Sequence, residues 1–322
     1  MRALVYTAPH RVVPADLPEP EPAAGQVVVR VAACGLCGSD MHAYHGADPR
    51  RVPPLVLGHE ATGDVLSGPL AGARVAINPL MTCGRCPACR GGRPHLCPAR
   101  ELLGMRLPGA FAERVAVDAR NLSVLPDHLG DRDAALAEPL ACAVHAARLG
   151  IGHLGGPPVR ALVIGGGAIG LLSALVLADR GTAVTLSETA PGRRETAGAL
   201  GLATVDPQAN APDPAPLIID AVGSGRTRAA ASALAEPGGA IVHVGLQDNG
   251  PGLDTRRLTL QEIAFLGLYC YAPEDFAEAL RLLAEGRISG AGWVEERPLA
   301  EGAGAFAAVD AGTAAPKILL IP

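Results

Sequence analysis

From Val159 onward the chain alternates short apolar strands with helices, and this alternation limits the fold more than any other feature. It predicts strand Val159–Ile164, helix Ala168–Asp179, strand Ala183–Ser187 and helix Arg193–Leu200. Further strands are predicted at Ala203–Val205, Leu217–Ala221, Ala240–Val244 and Ile263–Leu268. Strands that alternate with helices assemble into a doubly wound parallel sheet, an α/β fold. Pro207–Pro216 is rich in Pro, Asp and Ala, so an exposed loop is expected where a helix would otherwise stand.

The first of these strands runs into Gly165-Gly166-Gly167-Ala168-Ile169-Gly170. A GxGxxG pattern alone is weak in a chain with 40 glycines. Here a strand precedes it, a helix follows, and an acid, Glu188, ends the next strand. The glycines permit a tight turn and close approach to a pyrophosphate, and the helix N-terminus offers N–H groups to its phosphates. Gly165, Gly167, Ala168, Ile169 and Gly170 are the expected dinucleotide loop. Glu188 is expected to accept hydrogen bonds from an adenosine ribose diol. A 2′-phosphate would meet like charge there, which favours NAD over NADP. Arg193 and Arg194 argue the other way, since arginine can clamp a phosphate, although both also suit a solvated first helical turn. Arg193 is kept as a cofactor-binding candidate.

Ala161–Ala178 carries no charge and reaches the length of a membrane span. Four glycines interrupt it, and a buried strand followed by a core-facing helix reads the same way.

The first half is β-rich, with short strands at Leu4–Tyr6, Val27–Val31, Val56-Leu57, Arg74–Ile77, Val115–Val117 and Leu122–Leu125. Turns are expected at Pro14–Pro22 and Ser67-Gly68-Pro69. This half reads as a distorted small barrel. The character changes near Glu138-Pro139, where a helix Ala141–Leu149 should end at Gly150. An amphipathic helix is expected over Glu274–Glu285 and a last strand over Lys317–Ile321. The expected domains are 1–139 with 271–322, and 140–270.

A length of 322 residues suits two domains, and 49% hydrophobic residues imply a sizeable core. A net charge of −5, no basic run and only 3% aromatics argue against nucleic acid or an anionic membrane as partner. The N-terminus lacks the apolar core of a signal peptide, so a soluble cytoplasmic protein with reduced thiols is expected. Lys317 is the only lysine.

Cys83-x2-Cys86-x2-Cys89-x7-Cys97 places four thiols within fifteen residues. That spacing suits a closed tetrahedral zinc site, which performs no chemistry itself. Neighbours three apart are poorly placed for disulfides. A second set comprises Cys37 and His59, with Glu138 as a candidate third ligand; three protein ligands plus an open position make a catalytic arrangement. Spacing alone leaves this set undecided, because Cys34-x-x-Cys37 also looks like a redox pair. Cys34 and Cys142 are otherwise read as small apolar residues. His45, His95, His128, His145, His153 and His243 are read as turn, packing or surface histidines.

Taken together, Cys37-Gly-Ser39-Asp40-x-His42, Gly58-His59-Glu60, the Cys83–Cys97 lobe, Glu138-Pro139-Leu140 and the Gly165 loop resemble the zinc-dependent medium-chain dehydrogenase/reductase superfamily. They stand in family order over most of the chain, and Glu-Pro-Leu is similar to the sorbitol and threonine dehydrogenase branch. The resemblance implies a GroES-like distorted β-barrel catalytic domain, a Rossmann domain, two zinc ions per chain, NAD and a small alcohol or ketone substrate. It implies that Cys37 and His59 hold the catalytic zinc and that Glu60 or Glu138 completes the shell. A thiolate and one carboxylate neutralise Zn²⁺, whereas a second carboxylate gives −1, so the two glutamates are expected to exchange roles. Asp40 would orient His59, and Ser39 and His42 match the family's proton relay through the cofactor ribose. The implied reaction is hydride transfer between NAD and a secondary alcohol of a polyol, sugar or cyclitol. A threonine-type or simple-alcohol dehydrogenase, or a non-catalytic dinucleotide-binding protein, is the alternative. Relatives pair edge strands into dimers or tetramers, and Ile263–Leu268 is the expected edge. Two departures stand out: a short segment between Glu60 and Arg74, and Cys270 where relatives often place an arginine.

Overall fold

Gln26–Gly35, ten residues long, is the strand on which the first structural unit is built. Val27, Val29 and Val31 turn inward while Arg30 turns to solvent, the two-residue period of a strand with one buried face. In the computed structural model, which describes residues 1–322, this unit comprises Met1–Glu138 and Ala279–Pro322. The order across its larger sheet is Leu122–Val124, Arg74–Ile77, Glu60–Val65, Gln26–Gly35, Lys317–Ile321 and Val294–Pro298, with Arg114–Asp118 also on the central strand. A three-stranded sheet of Arg11–Asp16, Arg2–Ala8 and Leu55–Val56 shares its core. Leu4, Leu57, Phe111 and Phe306 fill that core, with the two phenylalanine rings edge to face at 6.0 Å.

Glu60–Val65 (EATGDV) carries no apolar alternation, and its sequence does not announce a strand. Neighbours on both sides make it one, and a Cβ on Gly63 would fall onto the carbonyl oxygen of Arg30. Pro14, expected in a turn, lies inside the strand Arg11–Asp16. That strand pairs on one side only, so the missing N–H removes no bond from a central ladder. The strand Val294–Pro298 and the helix Gly302–Asp310 were likewise not anticipated.

The second unit is Pro139–Glu278. Six parallel strands run in the order Ala203–Val205, Ala183–Ser187, Arg160–Ile164, Ala215–Asp220, Ala235–His243, Ala264–Gly267. This is the 3-2-1-4-5-6 order of a Rossmann sheet. The uncharged run at Ala161–Ala178 is divided between the strand Arg160–Ile164 and the helix Ala168–Asp179. No helix is long and apolar enough to cross a membrane. Residues 206–214 hold no helix, as their composition suggested. The helix Gly225–Leu234 escaped sequence reading, although Ser224 and Thr227 form a capping box at its start.

The helix expected to end at Gly150 instead spans Ala137–Leu154. A Cβ on Gly150 would strike Leu217, so this glycine serves close helix–strand approach, not termination. On the return, the units divide at Ala279, inside the helix Pro273–Ala284 rather than at 271. His145 is buried and pairs with Asp275 at 2.7 Å.

Candidate active site and metal centres

The sulfurs of Cys83, Cys86, Cys89 and Cys97 lie within 4.8 Å of one another. Cys86–Cys89 is 3.5 Å, Cys97–Cys83 is 3.6 Å and Cys83–Cys89 is 4.0 Å. A tetrahedral ion with bonds of ~2.3 Å sets its sulfurs about 3.8 Å apart, and these three separations bracket that value, so the donor set fits zinc. Cys86 caps the short helix Pro87–Arg90, its sulfur accepting from Cys89 N at 3.5 Å. Backbone N–H groups of Arg85 and Cys86 bring the Cys83 thiol down to about 6. Desolvation and the neighbouring Cys86 sulfur push Cys89 up to about 11. None of the eight cysteines is in a disulfide.

A second donor set, Cys37, His59 and Glu60, also falls within 4.8 Å. Cys37 is the N-cap of the helix Gly38–Tyr44, its sulfur accepting from Ser39 N, while the Asp40 carboxylate accepts from Cys37 N at 3.1 Å. His59 follows Gly58, whose φ of +91° and contacts with Phe111 and Cys34 leave no room for a side chain. Its Nδ1 faces Asp40 Oδ1 at 3.6 Å and its Nε2 lies 3.5 Å from Ser39 Oγ. Burial opposes charge on His59, but the Asp40 carboxylate and Cys37 overcome it and raise the imidazole's proton affinity well above its usual value. Surroundings that favour a proton also favour a metal cation. A thiolate, an imidazole and a carboxylate around one point fit zinc.

Glu60 is fully buried, and both its oxygens accept from Lys317 Nζ, at 2.9 and 2.6 Å. The same ammonium donates to Leu36 O at 3.0 Å. Burial pulls the Lys317 pKa down, but Glu60, then Cys37 and Glu138, hold it raised. Glu138 is 7% exposed and sits in the first turn of Ala137–Leu154, outside the three-residue donor cluster. Ser39 Oγ also accepts from Arg51 Nη2 at 3.1 Å. His42, half-buried on the same helix, has its proton affinity lowered by burial and by the Arg51 charge. A third grouping, His10, His45 and Asp310, is exposed, and the His45–Asp310 pair at 2.6 Å accounts for two of its members.

In the second unit the Gly165 loop bends as its glycines allow. Gly165 has φ +101°, and a Cβ on Gly170 would fall onto Gly165 O. Gly167 caps Ala168–Asp179 with no side chain, leaving the first N–H groups to a ligand. Glu188 reaches this loop: Oε2 accepts from Gly166 N at 2.6 Å and Oε1 from Ala190 N at 2.7 Å. Arg193 Nη1 lies 4.0 Å from Glu188, and its buried Nε has no hydrogen-bond partner. Arg194 is engaged with the carbonyls of Glu188 and Thr189 and with Asp206. A cavity of about 890 Å³ opens beside them, lined by Gly165, Glu188, Pro207, Val222, Ser224 and Arg226 among others.

Residues 23–127 match the alcohol dehydrogenase GroES-like domain, and residues 168–285 match the zinc-binding dehydrogenase domain. A 2-dehydro-3-deoxy-L-galactonate 5-dehydrogenase of Pseudoalteromonas atlantica is 33% identical over 320 residues, covering 93% of this chain and 92% of its own. The chain belongs to the zinc-dependent medium-chain dehydrogenase/reductase superfamily. Among solved structures, a short chain alcohol dehydrogenase from Escherichia coli CFT073, complexed with NADH, superposes with a TM-score of 0.91 at 26% identity, covering 100% of this chain and 99% of its own. A putative zinc-binding dehydrogenase from Sinorhizobium meliloti 1021, bound to NADP, gives 0.87 at 30%, with coverage of 100% and 99%.

For a medium-chain dehydrogenase, the structure adds two residues that sequence reading passed over. In the sequence Lys317 is simply the lone lysine that opens the last strand. Arg51 was one of two adjacent arginines in a loop. The signal for Lys317 was present: a charge heading the apolar run Ile318–Ile321 must find a partner when that run is buried. No comparable signal marked Arg51.

Proposed function

We propose that this medium-chain dehydrogenase interconverts a secondary alcohol of a polyol, sugar or sugar acid and the corresponding ketone, with NAD as hydride carrier. The observation that carries the proposal is the Cys37–His59–Glu60 donor set, with Ser39 Oγ 3.5 Å from His59. Zinc bound there supplies a Lewis acid that lowers the proton affinity of a substrate hydroxyl. Cys37 and His59 hold the ion, with Asp40 behind the imidazole. Glu60 stands within the donor set and keeps lone pairs beyond those that accept from Lys317, so it can complete the shell, with Glu138, outside the set, as the alternative third ligand. Lys317 also changes the charge count, because its ammonium cancels the Glu60 carboxylate. Both glutamates can then stand at the centre without making it net negative. Ser39 takes the proton released by the substrate hydroxyl, and His42, held neutral, receives it on the way to solvent.

In the second unit, Gly165, Gly167, Ala168, Ile169 and Gly170 seat the pyrophosphate. Glu188 exchanges its loop N–H groups for ribose hydroxyls, and its charge opposes a 2′-phosphate. Arg193 supports the cofactor from beside Glu188. Ala264–Gly267 is an edge strand, and its pairing with a second copy would give a homodimer or a homotetramer. Eight cysteines with no disulfide among them suit the reducing cytoplasm.

The test is a screen of the zinc-loaded protein with NAD⁺ and NADP⁺ against sugar acids, polyols, cyclitols, threonine and simple alcohols. NADH formation with a polyhydroxylated substrate and two zinc ions per chain are expected. A zinc-loaded protein that binds NADH yet turns over nothing in the panel would be a dinucleotide-binding protein instead.

A further inference from the structure

We propose that Arg51 is a positioning residue for the proton-transfer step, fixing the direction in which the Ser39 hydroxyl accepts and gives its proton. The inference rests on the role of Ser39 proposed above. Arg51 is 2% exposed, a burial that arginine reaches only when its donors are occupied. Nε donates to Gly104 O at 2.9 Å, Nη1 to Asp48 Oδ2 at 2.6 Å and Nη2 to Ser39 Oγ at 3.1 Å. Asp48 is a firm anchor. Burial would raise its pKa, but Arg50 and Arg51 hold it down to about 2, so it stays ionised. Arg50 grips both oxygens of the same carboxylate, Nε donating to Oδ1 at 2.8 Å and Nη2 to Oδ2 at 3.0 Å. The guanidinium is therefore a rigid fork, tied at its stem and one arm and touching Ser39 with the other.

The consequence follows from what each group can do. Guanidinium has donors and no acceptor, so its N–H occupies one lone pair of Ser39 Oγ and the hydroxyl proton must point elsewhere. One lone pair and one proton then remain on Ser39. The lone pair accepts the substrate proton as the substrate O–H bond breaks. The original Ser39 proton departs at the same time towards His42 and solvent. A serine without the clamp rotates among three staggered positions, most of which are unproductive.

A double-mutant cycle of Ser39→Ala and Arg51→Met tests this. NADH affinity by fluorescence titration and zinc content serve as controls that the clamp should not move. Arg51→Met is expected to lower kcat by roughly 100-fold, within the range of acid–base contributions, with KM changed less than about threefold. The solvent deuterium isotope effect on kcat should rise while the effect of deuterium on the reacting carbon falls. In the Ser39→Ala background Arg51→Met should have no further effect, because Arg51 acts through the hydroxyl. Arg51→Lys, which keeps charge but not the fork, should recover part of the rate, and it carries the cycle if Arg51→Met does not fold. Equal effects of Arg51→Met with and without Ser39 would overturn the inference, as would loss of zinc or NADH binding in step with kcat. A Ser39→Ala enzyme with unaltered kcat would instead sink the proton-carrier reading itself.

Discussion

Lys317→Met should destabilise the metal-free barrel unit by about 3–5 kcal/mol, the usual cost of removing one partner from a buried ion pair. The structure explains why the loss falls in that range. At 2.6 Å, two unit charges in an effective dielectric of about 20 attract by roughly 6 kcal/mol, and burial of both groups consumes part of this. The loss also has a ceiling, since a stranded carboxylate can take up a proton. Protonating a glutamate of ordinary pKa about 4.3 at pH 7 costs about 3.7 kcal/mol. Leu36 O loses a donor as well, which adds about 1 kcal/mol or more. Trp293, the only tryptophan, reports on the right unit: it is buried, and Val294 beside it pairs with Lys317 across the two C-terminal strands. Urea unfolding followed by Trp293 fluorescence therefore measures the effect. Adding Glu60→Gln should restore at least about 2 kcal/mol, because a neutral amide needs no counter-charge. Zinc should reduce the loss, as its charge replaces the missing ammonium. A midpoint shift worth less than about 1 kcal/mol, or a double variant no better than the single one, would refute this reasoning.

Cys97→Ser should remove one zinc equivalent and leave the other, a difference read directly by metal analysis. Gly170→Ala should weaken NADH binding at least tenfold and cost about 1–3 kcal/mol, since its Cβ meets Gly165 O in the cofactor loop; wild-type affinity by fluorescence titration would contradict that. Glu188→Ala should raise the KM for NAD⁺ and narrow the preference over NADP⁺, and a kinetic comparison of the two cofactors decides it. Asp48, held at about 2, stabilises the fold fully above its unfolded pKa near 4 and loses that contribution as pH falls through about 2. Acid unfolding of Asp48→Asn should accordingly vary less with pH between roughly 4 and 2 than that of the native chain.

The Rossmann half was legible because its signals are local. Ala168–Asp179, Ala183–Ser187 and Ala203–Val205 appear at the residues expected, each set by apolar pattern and bounding glycines or polar residues. The barrel half was less legible because its strands are specified by neighbours far along the chain. Glu60–Val65 becomes a strand through partners at Gln26–Gly35 and Arg74–Ile77, which no window of its own sequence contains. The four-cysteine lobe stood out by spacing alone, whereas Cys37, His59 and Glu60 were settled only through the family resemblance. The residues that support them were not legible, because Arg51 reaches Gly104 and Ser39, and Lys317 reaches Glu60, across separations that no motif spans.

The burial of Lys317 also governs how this protein meets amine chemistry. It is the only lysine and is 2% exposed, so the folded surface offers no side-chain amine. Glutaraldehyde or succinimidyl cross-linkers will therefore not couple copies of this chain through lysine, and a negative gel would say nothing about assembly. The same burial makes Lys317 a clock: acylation there can proceed only when the C-terminal strand leaves its sheet, and its rate reads the opening of the barrel.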